Sequence, residues 1–86
     1  MEIIVRKPTE AEKAEMLTKP TWGCGVSEFD WYYDNEETCL ITEGEVVVEY
    51  NGKSVSFGEG DYVTLPKGLG CIWKVSKAVR KHYVFK

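Results

Sequence analysis

Residues 45–57 read EVVVEYNGKSVSF, and this stretch decides the fold class. Branched and aromatic side chains fill both arms, as is typical of β-strands. Between the arms lie Asn51 and Gly52, two residues that tolerate the positive φ angles of a type I′ turn. The stretch therefore predicts a β-hairpin with strands over 45–50 and 53–57.

Similar short segments lie on both sides of the hairpin. They predict further strands over 2–7, 28–33, 37–42, 61–65, 71–75 and 79–85. Thr9 and Glu12 form a capping box that begins a helix of one to two turns, and Pro20 prevents its continuation. About eight strands at intervals of roughly eight to twelve residues, with no helix between them, predict an all-β barrel or sandwich with a short N-terminal helix.

Length and composition exclude several classes of protein. The chain has 86 residues, which suits one domain over 1–86, and 29% of them are charged. A net charge of −3, with both signs mixed along the chain, argues against a nucleic-acid partner. No apolar run is long enough to span a membrane, and the N-terminus lacks the layout of a signal peptide. We therefore expect a cytoplasmic protein with no membrane partner.

The three cysteines, Cys24, Cys39 and Cys71, form neither a disulfide framework nor a zinc pattern. Their number is odd, no two of them are spaced as C-x-x-C, and His82 is the only histidine. Small buried hydrophobic residues are the simplest interpretation of the three.

Two sets of residues share a spacing that resembles a known family. The first is Gly25, five residues, Trp31-Tyr32-Tyr33, three residues, Glu37, six residues and Gly44; the second is Gly60, five residues, Pro66-Lys67-Gly68, two residues and Cys71. This frame resembles the two motifs of the cupin superfamily. The chain also resembles a particular branch, the short single-domain cupins similar to the cupin domains of ureidoglycine aminohydrolase and ethanolamine-utilisation proteins. The resemblance implies a double-stranded β-helix, that is, a jelly-roll barrel.

In metal-binding cupins, the four motif positions that hold the ion correspond to Trp31, Tyr33, Glu37 and Cys71 in this sequence. Only the glutamate is retained. An indole offers no lone pair, and the phenol and thiol would first have to lose a proton. We therefore expect no tightly bound metal and no other cofactor. A metalloenzyme with an atypical Glu/Tyr/Cys site remains an alternative.

Strand alternation and the motif frame together place Trp31, Tyr33, Glu37, Cys71 and Trp73 inside the barrel. Such an interior is either a small-molecule pocket or a filled core. An inward Glu37 requires a partner, for which the sequence offers Tyr33, Lys67, Arg80 or His82.

The leading hypothesis is a small-metabolite-binding cupin, able to act as a metal-independent enzyme. Glu37 and Tyr33 are its candidate catalytic residues. The candidate ligand-binding residues are Trp31, Cys71, Trp73, Lys67 and His82, with Lys67 near the barrel mouth suited to an anionic group. A third hypothesis is a non-catalytic structural or interaction module. In each case the apolar strand around Ile3, Ile4 and Val5 favours a homodimer.

Overall fold

The computed structural model describes residues 2–86 and consists mainly of antiparallel β-structure. One helix, α1, spans Glu10–Met16. The strands are β1 (Ile4–Arg6), β2 (Thr21–Cys24), β3 (Ser27–Tyr32), β4 (Glu37–Tyr50), β5 (Lys53–Gly58), β6 (Tyr62–Leu65) and β7 (Gly70–Phe85). The prediction of an all-β fold with a short N-terminal helix is confirmed.

Two long strands form the axis of the fold. β4 and β7 pair antiparallel from Glu37 opposite Phe85 to Glu49 opposite Ile72, with shifts of register between Ile41 and Val46. The first half of β4 also pairs with β6, which carries β1, and the second half pairs with β5. β7 likewise pairs with β3 along its first half and with β2 along its second half. The central pair therefore connects all the other strands of residues 2–86 into one continuous antiparallel sheet, which is the pattern of a barrel.

Gly44 marks the bend in β4. Its φ angle is 98°, and a Cβ atom at this position would lie 2.4 Å from the carbonyl oxygen of Ala78. A side chain would therefore be excluded both by conformation and by the close approach of β7. Only glycine allows β4 to continue past this close contact with β7.

Residues 2–86 form seven strands where the sequence predicted about eight. The segments 37–42 and 45–50 are one strand, and so are 71–75 and 79–85, because the chain bends without leaving the ladder. β2 was not predicted, since its sequence, Thr-Trp-Gly-Cys, has little β-pattern of its own. It forms because Thr21–Cys24 finds a partner in the last part of β7.

Two local predictions are confirmed. Tyr50 pairs with Lys53 across the hairpin turn, where Asn51 and Gly52 have φ angles of 48° and 73°. At the start of α1, the Glu12 amide donates to Thr9 Oγ1 at 3.2 Å, and the Glu12 carboxylate accepts from the Thr9 amide at 2.9 Å. No helix among residues 2–86 is long and apolar enough to cross a membrane.

Candidate functional site

A cavity of about 190 Å³ opens into the barrel between β2, β3, the start of β4 and β7. Seven of its nine lining residues are aromatic, and the other two carry opposite charges. The lining is Trp22, Phe29, Trp31, Tyr33, Glu37, Trp73, Lys81, Tyr83 and Phe85. All three tryptophans of the chain line this one cavity.

Strand register brings these side chains together. Phe29 of β3 lies opposite Trp73, and Trp22 of β2 lies opposite Lys81. Alternation along the second half of β7 then places Lys81, Tyr83 and Phe85 on the face that lines the cavity. Three strands therefore contribute aromatic walls to the same space.

Trp73 is the structural centre of the aromatic wall. It is buried, stacks on Phe29 at 6.1 Å between ring centroids, and meets Trp22 and Phe57 edge-on at 6.2 and 5.6 Å. Its indole Nε1 donates a hydrogen bond to the hydroxyl oxygen of Tyr33 at 3.1 Å. These contacts fix the ring and give the cavity a rigid wall.

A buried ion pair forms the polar part of the cavity. Lys81 Nζ lies 2.5 Å from Glu37 Oε2, and the two side chains are only 8% and 3% exposed. The ammonium group also lies over the rings of Trp73 and Trp22, 4.7 and 5.1 Å from their centroids. The aromatic faces and the Glu37 carboxylate together stabilise the Lys81 ammonium group, which offsets the free energy lost when burial removes it from water.

Lys81 was absent from the partners predicted for Glu37. Those candidates were Tyr33, Lys67, Arg80 and His82, and none of them donates to the carboxylate in residues 2–86. The available signal was strand alternation, which places Lys81 on the same face of the last strand as the buried Val79. Sequence alone did not reveal that this face turns toward Glu37.

Two polar atoms of the cavity have unused hydrogen-bonding capacity. Tyr33 accepts from Trp73, but its own hydroxyl proton has no acceptor among residues 2–86. Glu37 Oε1 has no donor there either. In the described part of the chain, every fully enclosed side-chain polar atom has a partner, so Glu37 Oε1 must be accessible from the cavity.

Tyr33 is a neutral phenol. Burial raises the pKa of its hydroxyl well above the ordinary value, and the negative charge of Glu37 raises it further. The hydroxyl therefore keeps its proton at any physiological pH. It is available as a hydrogen-bond donor.

Of the predicted ligand-binding residues, Trp31 and Trp73 line the cavity. Trp31 lies at the rim, where half of its surface is exposed. Cys71 is buried beside it but does not line the cavity. Its thiol donates to the Trp31 carbonyl oxygen at 3.6 Å, and burial raises its pKa to about 11.

The structure does not bring Lys67 or His82 to the cavity. Lys67 is exposed in the turn that follows Pro66. His82 is half-buried on the opposite face of β7 from Lys81, and its Nδ1 lies 2.9 Å from the carbonyl oxygen of Lys19. That contact ties β7 to the segment before β2, which is a structural role.

The residues at the four motif positions do not fit a divalent metal ion. Glu37 already holds an ammonium group, Trp31 has no lone pair to offer, and the Tyr33 phenol and Cys71 thiol keep their protons. Between residues 2 and 86, no three His, Cys, Asp or Glu side chains cluster closely enough to hold a metal. Among the residues that line the cavity, Lys81 is the one that carries a positive charge.

The fold and the cavity together define a cupin barrel. The chain matches the EutQ-like cupin domain family over residues 11–83 and belongs to that family. The resemblance inferred from the motif spacing is thereby confirmed.

A solved structure from Thermotoga maritima, described as a DUF861 family protein, is 49% identical to this chain. It superposes with a TM-score of 0.94 over 99% of this chain and 100% of its own. The EutQ structure from Clostridioides difficile is 25% identical, with a TM-score of 0.71 over 76% of this chain and 52% of its own.

A curated relative from Clostridioides difficile, named acetate kinase EutQ, is 30% identical over 70 residues. The match covers 76% of this chain and 45% of that protein. This chain therefore spans about half the length of the EutQ proteins that it matches.

Proposed function

We propose that this protein binds a small metabolite in the barrel cavity without a metal ion. The observation that carries the proposal is a Glu–Lys pair inside an aromatic cavity that opens to solvent. Ligand pockets commonly combine apolar walls with a few fixed polar groups. An apolar cavity of roughly 150 Å³ holds benzene, so a space of about 190 Å³ suits a molecule slightly larger than benzene.

Proton transfer is the chemistry that these side chains support. The Glu37 carboxylate is held by Lys81 through one oxygen, which leaves the other oxygen to accept a proton from a bound molecule. Tyr33 lines the same cavity and supplies a hydrogen-bond donor, because its raised pKa keeps the phenol protonated. In this proposal Glu37 is the base, and Tyr33 orients the ligand by a hydrogen bond.

The kinase activity in the name of the Clostridioides difficile relative is not part of this proposal. Phosphoryl transfer requires several positive groups around the phosphates. Lys81 is the one cation among the residues that line the cavity, and Glu37 already neutralises it. Acetate and ATP still belong in the ligand screen, since that relative is 30% identical to this chain.

The proposal can be tested with a screen of small fragments, read by NMR from the indole N–H signals of the three tryptophans that line the cavity. Fragments of about six to ten non-hydrogen atoms are the appropriate size for the cavity. We expect a set of them to shift the Trp22 and Trp73 signals in a saturable way. Glu37→Gln should lower the affinity for the polar fragments of that set by about tenfold, which corresponds to roughly 1.4 kcal/mol of binding free energy.

The matched control is Glu43→Gln, which removes an exposed carboxylate from the same strand and should leave every affinity unchanged. Glutamine still offers an oxygen to Lys81, so the test variant keeps the shape of the site. If no fragment shifts the indole signals of the wild-type protein, the barrel does not bind ligands. The interpretation as a non-catalytic structural module would then be correct.

A further inference from the structure

The cavity offers a ligand one acceptor and one donor. The acceptor is Glu37 Oε1, which no donor in residues 2–86 reaches, and the donor is the hydroxyl proton of Tyr33, which no acceptor there receives. The two groups do not hydrogen bond to each other. Both residues line the cavity, and the hydrogen bond from Trp73 holds the Tyr33 hydroxyl in place.

The cavity is also electrically neutral. The charges of Glu37 and Lys81 cancel, and the other seven lining residues are aromatic and uncharged. A charged ligand would place one net charge among these rings. Its desolvation would cost free energy, because no other lining residue carries a charge that could neutralise it. An uncharged ligand avoids that cost.

We propose that the cavity selects an uncharged, planar molecule that carries a hydrogen-bond donor and an acceptor side by side, as a primary carboxamide or a lactam does. Its N–H donates to Glu37 Oε1, its carbonyl oxygen accepts from Tyr33, and its flat body lies between the aromatic walls. This inference rests on the proposed function and specifies its ligand class.

Four probes of nearly the same shape test the inference on the wild-type protein. Benzamide is neutral with a donor and an acceptor, benzoate is an anion, benzamidinium is a cation, and toluene has no polar group. We expect benzamide to shift the indole N–H signals with an affinity at least tenfold higher than that of either ion, and also higher than that of toluene.

The outcomes separate this inference from the proposed function. If toluene binds but benzoate or benzamidinium binds with the same affinity as benzamide, the cavity binds ligands and the inference that it selects neutral ligands is wrong. If none of the four probes shifts the signals, the proposed function fails as well. Tight binding of benzoate would also overturn the inference, because it would show that Lys81 breaks its ion pair with Glu37 and binds the anion instead.

A pair of conservative variants tests the assigned donor. Tyr33→Phe should lower the affinity for benzamide by about three- to tenfold, the range for one lost hydrogen bond. It should leave the affinity for toluene unchanged. Tyr32→Phe is the control, because Tyr32 is exposed and does not line the cavity. Unchanged benzamide binding to Tyr33→Phe would refute the role of Tyr33, while unchanged toluene binding shows that the cavity is intact.

Discussion

Removing one member of the Glu37–Lys81 pair should destabilise the fold far more than removing both. Over 2.5 Å at an effective dielectric constant of about 20, the attraction is roughly 7 kcal/mol, from which the desolvation of both groups must be subtracted. Breaking a buried pair by removing one partner costs about 3–5 kcal/mol. A chain of 86 residues has about 4–13 kcal/mol of total stability, so either single variant should lose a large part of it.

The variants are Glu37→Leu, Lys81→Met and their combination, compared by urea unfolding monitored by tryptophan fluorescence. Each single variant leaves one charge unpaired among the aromatic rings. The double variant replaces the pair with apolar side chains of similar size, and such exchanges are often neutral or stabilising. We expect it to recover at least half of the loss in the free energy of unfolding.

The matched control is the pair formed by Glu49 and Lys74, which joins the same two strands. Its atoms lie 3.0 Å apart, but its side chains are 42% and 41% exposed. Glu49→Leu and Lys74→Met should each change stability by no more than about 1 kcal/mol. Losses below about 1 kcal/mol for both Glu37→Leu and Lys81→Met, or losses that simply add in the double variant, would refute the reasoning.

Three further predictions concern pH, thiol reactivity and self-association. The Arg6 guanidinium lowers the Glu12 pKa from 4.5 to about 2. The ionised Glu12 carboxylate should therefore stabilise α1 fully above pH 4.5, and this stabilisation should disappear as the pH falls through 2. An NMR titration of Glu12 with a midpoint near 4.5 would contradict this prediction. Burial raises the pKa values of Cys39 and Cys71 to about 12 and 11, so iodoacetamide at pH 8 should label neither before unfolding, as mass spectrometry can check. Ile4 is exposed on the edge strand β1, which favours a dimer formed through this edge. The Ile4→Lys variant should dissociate that dimer. A monomeric mass for the wild-type protein by light scattering would remove this prediction.

Features that depend on a few neighbouring residues were determined by the sequence alone. The Asn51-Gly52 turn follows from the φ angles that those two residues tolerate, and the start of α1 follows from the Thr9–Glu12 capping box. The motif frame also placed Glu37 and Trp73 inside the barrel, because alternation along a strand has a fixed period of two. These predictions needed no knowledge of the distant partner.

Features that join distant parts of the chain were decided only by the tertiary structure. β2 exists because Thr21–Cys24 meets the end of β7, and the charge on Glu37 is balanced by Lys81, a residue 44 positions away. That pairing depends on the register of two long strands that shift and bend at Gly44. A displacement of one residue along β7 would turn Lys81 outward and Arg80 or His82 inward, and local sequence patterns do not set this register. The ligand cavity and its neutral charge follow from that register.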